Sequence, residues 1–264
     1  VLGNAASNHY VFCGGTSMSS PLCAGAAALA RQYLVEARGF ANPSAALVKA
    51  LMLAGARSLS PGQYGVGPFQ EIPGASRPNS AEGWGHVDLG GALFPESGTN
   101  VLVDGDALNT DDVRTYAFQG AASNRLCAML VWSDYPSCEL SARNLVNDLD
   151  LVIITPSGAV LHPNGGAGFD RTNNVEGVDV GRTEAGVYTV LVIGSDVPMG
   201  PQPFALALHA GPPRAQAVEG LEHIPNLVTN RAAAAVRAQV LPNGSGVAAV
   251  SNFHRVNGGA WQAS

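Results

Sequence analysis

The sequence predicts two kinds of structure in succession: a helical, glycine-rich segment over residues 1–95 and an all-β antiparallel sandwich or jelly roll over residues 96–213. In the first segment, stretches of small residues with helical character alternate with Gly-rich loops. In the second, short runs of β-branched and large apolar residues are separated by Gly, Pro, Asn and Asp, with no helix between them. Residues 214–264 form a tail of mixed composition, in which residues 231–240 are a candidate short helix.

Two helices are predicted in the first segment. The first covers residues 20–39: Pro21 suits a first turn, and apolar residues cover nearly all sides of its first half, which is typical of a buried helix. The second covers residues 43–55, with Asn42 as its N-cap. Residues 60–85 are rich in Gly and Pro and predict a long loop.

The strands of the second segment are expected where β-branched and large apolar residues concentrate. These runs are residues 113–118, 125–131, 148–155, 186–193 and 203–209.

Composition excludes two function classes. The chain has 264 residues and a net charge of −6, and no Lys/Arg cluster appears, which argues against a nucleic-acid partner. No apolar run approaches the roughly 18 residues of a membrane span.

The chain opens without Met, a basic region or an apolar signal stretch, which we interpret as a removed N-terminus or a fragment. We expect an extracellular or secretory location.

The chain contains four cysteines, Cys13, Cys23, Cys127 and Cys138. An even number permits disulfides in a secreted protein, although four free thiols would give the same count. We favour a Cys127–Cys138 bridge because it would close a short loop between two predicted strands.

The strongest chemical signal is the segment from Gly14 to Pro21, Gly-Gly-Thr-Ser-Met-Ser-Ser-Pro. Gly14 and Gly15 allow a tight turn and a close approach of the backbone to a substrate. Ser17 would then lie at a helix N-terminus, where unpaired N–H groups and the helix dipole favour a developing oxyanion. The alternative is a helix cap without catalytic function, which is the common role of a Thr-Ser pair before a helix.

The longer string resembles the nucleophile motif of the subtilisin family of serine proteases, Gly-Thr-Ser-Met-Ala-x-Pro followed by a small-residue helix. Ser19 replaces the usual Ala of the motif. Residues 43–51 resemble the next helix of that family, and residues 83–89 resemble the Gly-Trp-Gly-x-Val-(Asn/Asp) segment that closes its catalytic domain. The matching residues of the motif itself are Gly15, Thr16, Ser17, Met18, Pro21, Ala24 and Gly25.

The resemblance implies that residues 1–95 are the C-terminal portion of an α/β subtilisin-like catalytic domain. It implies Ser17 as the catalytic nucleophile, with Gly14, Gly15 and Thr16 binding a polypeptide substrate. The family also requires an Asp and a His from upstream segments, and their motifs do not occur here. We therefore expect this chain alone to be inactive and its partner to be the N-terminal half of its own catalytic domain.

The second segment resembles the β-barrel or jelly-roll domain at the C-terminus of some large subtilisin-family proteases, in residues 130–134, 144–151, 173–176 and 200–206. Such domains often hold structural calcium, and oxygen ligands suit that ion. The alternative is that these side chains stabilise turns, as most Asp and Asn near strands do. The candidate ligands are Asp134, Asp148, Asp150, Asp170, Asn174 and Glu176.

Two other function classes stay open at this stage. If the upstream half lacked the Asp or the His, the protein would be a pseudoprotease that only binds peptides. Alternatively, the sandwich could be a module that binds peptide or carbohydrate, since folds of this kind host many functions.

Overall fold

A computed structural model describes residues 2–7, 10–62, 64–72, 77–93, 99–181, 183–211, 219–224, 235–239, 253–254 and 262–263. The chain forms two compact units. One unit is Ser17–Pro213, and the other combines Val1–Thr16 with Arg214–Ser264.

Three α-helices are described, α1 (Thr16–Glu36), α2 (Ala45–Gly55) and α3 (Leu89–Leu93), together with a short 3₁₀ helix at Pro163–Gly165. The first begins four residues before the predicted start, so Pro21 lies inside it. The N-cap of α2 is Ser44, whose Oγ accepts a hydrogen bond from the N–H of Leu47 at 3.0 Å. The prediction of Asn42 as the cap was therefore wrong, because the chain enters the helix two residues later. Among the described residues, no helix combines the length and the apolar character needed to cross a membrane.

The strands are predominantly antiparallel partners in small sheets. In chain order they are β1 (Leu2–Ser7), β2 (Tyr10–Cys13), β3 (Thr99–Leu108), β4 (Val113–Gly120), β5 (Arg125–Trp132), β6 (Asp148–Ile154), β7 (Val160–Leu161), β8 (Val175–Val180), β9 (Gly186–Asp196), β10 (Gln202–Gly211), β11 (Glu219–Ile224), β12 (Ala235–Gln239), β13 (Phe253–His254) and β14 (Gln262–Ala263).

The unit that contains both chain ends is described as three two-stranded pairs, β1–β2, β11–β12 and β13–β14. The candidate helix at residues 231–240 overlaps β12, so that prediction was wrong. The alanine run preceding β12 suggested a helix, but Ala235–Gln239 pairs antiparallel with β11 instead.

The larger unit contains a sandwich of two four-stranded antiparallel sheets. Their strand orders are β3-β10-β5-β8 and β4-β9-β6-β7. All five predicted strands are present, with shifted ends. Two further long strands, β3 and β8, were not predicted, because Asp and Gly interrupt the apolar pattern of both.

The core of the sandwich is filled by side chains from both sheets. Trp132, Tyr188 and Phe204 are its largest fully buried members. The indole Nε1 of Trp132 donates a hydrogen bond to the carbonyl of Asn147 at 3.0 Å, so its polar group is satisfied inside the core.

A helical layer covers the outer face of the β3-β10-β5-β8 sheet. Leu47 and Leu51 of α2 share a buried cluster with Met129 and Val131 of β5 and Ala205 of β10. Successive residues of β5 therefore point alternately into the sandwich and under the helix, and nearly the whole strand is buried. This explains why β5 is one continuous apolar run in the sequence.

Cys127 belongs to this outer layer and is buried, whereas Cys138 is exposed. Both are free thiols, so the expected bridge between them was wrong. The register of β5 directs the Cys127 side chain under the helices rather than toward the loop that carries Cys138.

At the level of fold class, the structure is mostly antiparallel β with a few helices, in agreement with a partly β prediction. Jelly-roll connectivity, an α/β subtilisin core and the division into residues 1–95, 96–213 and 214–264 stay predictions.

Candidate functional site

Ser17 lies in the first turn of α1, and its side chain is exposed. Gly14, Gly15 and Thr16 precede it and are exposed as well. The φ angle of Gly15 is 143°, in the positive region that favours glycine. The first N–H groups of a helix have no intrahelical acceptor, so this turn presents donors beside the hydroxyl. The sequence prediction of a serine at a helix N-terminus agrees with this placement.

Pro21 adds a local irregularity to this turn. Because proline has no backbone N–H, the carbonyl of Ser17 four residues earlier receives no helical hydrogen bond from it. The start of α1 is thus less constrained by its own hydrogen bonds than the rest of the helix.

Most of the apolar surface of α1 is uncovered within the larger unit. Its buried side chains are Ala26, Ala30 and Leu34, whereas Leu22 and Leu29 are 74% and 51% exposed. An open, largely apolar cleft of about 640 Å³ lies between α1 and α2. Its lining includes Cys23, Ala27, Ala28, Val48 and Met52.

Three histidines have described side-chain surroundings. The backbone of His86 forms a bridge with that of Arg57, the ring of His162 packs edge-on against Phe169, and His209 lies in β10. Among the described residues, no hydrogen bond joins Ser17 to a histidine. The described part of the chain therefore contains the candidate nucleophile without a base beside it.

Three of the six candidate calcium ligands stabilise loops. The carboxylate of Asp134 accepts the N–H groups of Val146 at 2.7 Å and Asn147 at 2.9 Å. Asp170 accepts the N–H of Thr172 at 2.8 Å. The side-chain amide of Asn174 donates to the carbonyl of Trp132 at 3.0 Å. These contacts match the turn-stabilising alternative.

The other three candidates are buried: Asp148 and Asp150 both contact Arg171, and Glu176 lies close enough to both carboxylates for their charges to affect it. The Nη1 of Arg171 is 2.8 Å from Asp150 Oδ2 and 3.1 Å from Asp148 Oδ2. Glu176 Oε2 accepts the N–H of Leu151 at 2.6 Å. Two carboxylate oxygens, Asp148 Oδ1 and Glu176 Oε1, are buried without a hydrogen-bond partner among the described residues.

Burial raises the pKa of Glu176 to about 9, and the nearby charges of Asp150, Asp170 and Asp148 add to this effect. The hydrogen bond from Leu151 opposes it but does not outweigh it. Glu176 is therefore protonated at neutral pH. Burial also raises the pKa of Asp148, although Arg171 acts in the opposite direction.

In the described structure, most of these carboxylates have protein partners. Arg171 supplies the positive charge between Asp148 and Asp150, while the Asp134 and Asp170 carboxylates bind backbone N–H groups. Within the described ranges, no group of three His, Cys, Asp or Glu side chains is placed to hold a metal ion. Calcium stays a prediction.

A second charged cluster, which the sequence analysis did not predict, joins Arg77, Arg125 and Asp179. Arg125 makes a two-pronged contact with Asp179, at 2.8 Å from Nε and 2.9 Å from Nη2. Arg77 also binds Asp179 and is only 8% exposed. Burial alone would raise the pKa of Asp179, but the two guanidinium groups outweigh it and lower that pKa. The three residues are far apart in sequence, so no local pattern could indicate them.

No model of a known protein family matches this chain. The chain is 30% identical over 282 aligned positions to the serine protease/ABC transporter B family protein tagB of Dictyostelium discoideum, covering 82% of this chain and 14% of that protein. It is 28% identical over 257 positions to tagD of the same organism, covering 74% of this chain and 14% of that protein. Most of this chain is therefore similar to a small part of two proteins that are named serine protease/ABC transporter B family proteins.

Proposed function

We propose that this chain carries the nucleophile of a subtilisin-like serine endopeptidase. The observation that supports the proposal is an exposed Ser17 in the first turn of α1, directly after a glycine with positive φ and within a Gly-Thr-Ser-Met-Ser-Ser-Pro string. The similarity to proteins named serine proteases supports the same reaction class. The relatives are about seven times longer than the matched part, so the activity of the complete protein is part of the proposal.

In the proposed reaction, the Oγ of Ser17 attacks the carbonyl carbon of a peptide bond while its proton passes to a histidine supplied from upstream. The negative oxygen of the tetrahedral intermediate is stabilised by N–H groups at the start of α1. The histidine then returns the proton to the departing amine, and an acyl-serine ester remains. Water hydrolyses this ester by the same route and regenerates the serine. By the resemblance of the motif, Gly14, Gly15 and Thr16 are proposed to bind the substrate backbone.

The partner of the uncovered side of α1 is proposed to be the upstream half of the same catalytic domain. An exposed Leu22 and Leu29 and the apolar cleft beside α2 support this idea, because contiguous apolar surface of this kind marks an interaction site. The upstream half would supply both the cover and the missing Asp and His. The chain without it is expected to be inactive.

Hydrolysis of casein by the full-length protein tests the proposal. We expect Ser17→Ala to lower kcat by at least ~10⁴-fold, because the other triad members cannot act without the nucleophile. Ser20→Ala is the matched control, since Ser20 is also an exposed serine of α1, and it should retain activity. Undiminished hydrolysis by Ser17→Ala would refute the assignment. A folded wild-type protein that cleaves nothing would favour the pseudoprotease.

A further inference from the structure

The charged cluster around Asp179 connects the sandwich to the helical layer. Asp179 lies on β8 and Arg125 begins β5, while Arg77 belongs to the loop before α3. The Nη1 of Arg77 donates to the carbonyl of Ala56, just after α2, at 2.7 Å and to that of Trp84 at 3.1 Å. The Asp179 carboxylate of the sandwich therefore orients the Arg77 guanidinium, which binds the C-terminal end of α2 and the Trp84 segment.

The packing around Trp84 reinforces this connection. A Cβ added to Gly177 of β8 would collide with the Trp84 ring and come within 2.6 Å of the Met129 sulfur. The indole therefore rests directly on the strand next to Asp179. Contact at this distance leaves little room for the Trp84 segment to shift against the sandwich.

The N-terminal end of α2 is held by a second carboxylate of the sandwich. Asp104 on β3 accepts hydrogen bonds from the N–H of Ser44 at 2.8 Å and from its Oγ at 2.5 Å. The same Oγ caps the helix by accepting the N–H of Leu47. Asp104 thus orients the residue that begins α2.

Helix α2 shares its buried cluster with the second half of α1. Ala30 and Leu34 of α1 are fully buried in the cluster that contains Leu47 and Ala50 of α2. This shared cluster is the place where the position of α2 can influence the second half of α1, the helix that carries Ser17 at its start.

We propose that Asp179 and Asp104 are positioning residues for Ser17. Their contacts hold both ends of α2 against the sandwich and thereby set the direction of α1. This inference rests on the proposed protease function and adds a role for the sandwich in the reaction. Loss of the Asp179 charge would leave Arg77 and Arg125 facing each other without a counter-ion, which disfavours the present arrangement.

The test compares Asp179→Asn with Val190→Ala in the full-length protein. Val190 is fully buried in the sandwich core on β9, so its truncation destabilises the sandwich without changing the contacts of Asp179 or Asp104. Below the unfolding temperature of both variants, we expect Asp179→Asn to lower kcat about tenfold or more with little change in KM, since small misplacements of reacting groups carry large penalties. Val190→Ala should keep kcat, and Asp179→Glu should recover part of it. Native-state hydrogen exchange of α2 should accelerate in Asp179→Asn.

Equal kcat in Asp179→Asn and wild type, with only a lower unfolding temperature, would overturn the inference. If Asp179→Asn does not fold, Arg77→Gln replaces it, because that change leaves the Arg125–Asp179 pair intact and removes the Arg77 contacts to Ala56 and Trp84. The longer contact of 3.5 Å from Arg125 to the Ala56 carbonyl remains. A wild-type protein that shows no hydrolysis would refute the proposed function instead. In that case, unchanged hydrogen exchange of α2 in Asp179→Asn would refute, by itself, the claim that Asp179 holds α2 against the sandwich.

Discussion

Glu176 shows how one buried residue can affect the whole sandwich. Its side chain is fully buried, one oxygen binds the N–H of Leu151, and the other has no partner. The carboxyl is protonated at neutral pH in the folded protein, because burial raises its pKa to about 9. In the unfolded chain the same group ionises near pH ~4.3. Folding near neutral pH is therefore accompanied by proton uptake at this position.

A pH-dependent stability follows from this difference. The folded pKa is above the unfolded one, so the folded state binds more protons, and the free energy of unfolding falls as pH rises from about 4.5 toward 9. The slope from this group is at most ~1.4 kcal/mol per pH unit. We expect Glu176→Gln to flatten the dependence in urea titrations at several pH values and to be more stable than wild type at pH 8. Parallel curves for the two proteins would contradict the assignment.

The contacts of single residues explain which parts of the candidate site could be predicted from the sequence and which could not. The position of Ser17 at a helix start was predictable because the glycines, the serine and the small-residue helix lie in one contiguous string. The Asp179 cluster was not, since Arg77 and Asp179 are 102 residues apart and meet only through the fold. The six acidic and amide candidates were recognisable as a group, but their contacts depend on where Arg171 and the loop N–H groups lie.

At the scale of elements, α2 is the part of the helical layer that is most closely joined to the sandwich. Its buried side chains cover Met129, Val131 and Ala207, which would otherwise face water. The sequence predicted α2 as an amphipathic helix and β5 as an apolar strand. It could not indicate that α2 covers β5, because a fully apolar strand can pack against a helix, a second sheet or another chain.

Truncation of Leu47 measures the strength of this packing. Leu47 is fully buried between α2 and the sheet, so Leu47→Ala should lower the free energy of unfolding by ~2–5 kcal/mol. Lys49→Ala on the exposed side of the same helix is the control and should change it by less than ~0.5 kcal/mol. Denaturant unfolding of the full chain gives both values. Similar small losses in the two variants would show that α2 is only loosely applied to the sheet.

At the scale of the molecule, the helical and β segments share one compact unit from Ser17 to Pro213. The sequence analysis places the sandwich, residues 96–213, in a segment separate from residues 1–95. The outer side chains of β5 and β10 are buried by α2, however, and removal of the helices would expose them. The sandwich and the helical layer therefore share buried surface, and we expect the stability of the sandwich to depend on α2.

Expression of residues 96–213 alone tests this dependence. We expect the fragment to be less stable than residues 17–213 and to bind an apolar dye or self-associate, because the face containing Met129 and Val131 loses its cover. Thermal unfolding and light scattering provide the comparison. A monomeric fragment with the stability of the longer chain would contradict a shared core.

The most direct measurement for the central claim is covalent labelling of the full-length protein with a fluorophosphonate, followed by mass spectrometry. The account predicts an adduct on Ser17 that forms at neutral pH, disappears in Ser17→Ala and persists in Ser20→Ala, since only an activated serine reacts with such a probe. An unlabelled Ser17 in a folded protein, or an adduct on another residue, would contradict the claim that Ser17 is the nucleophile.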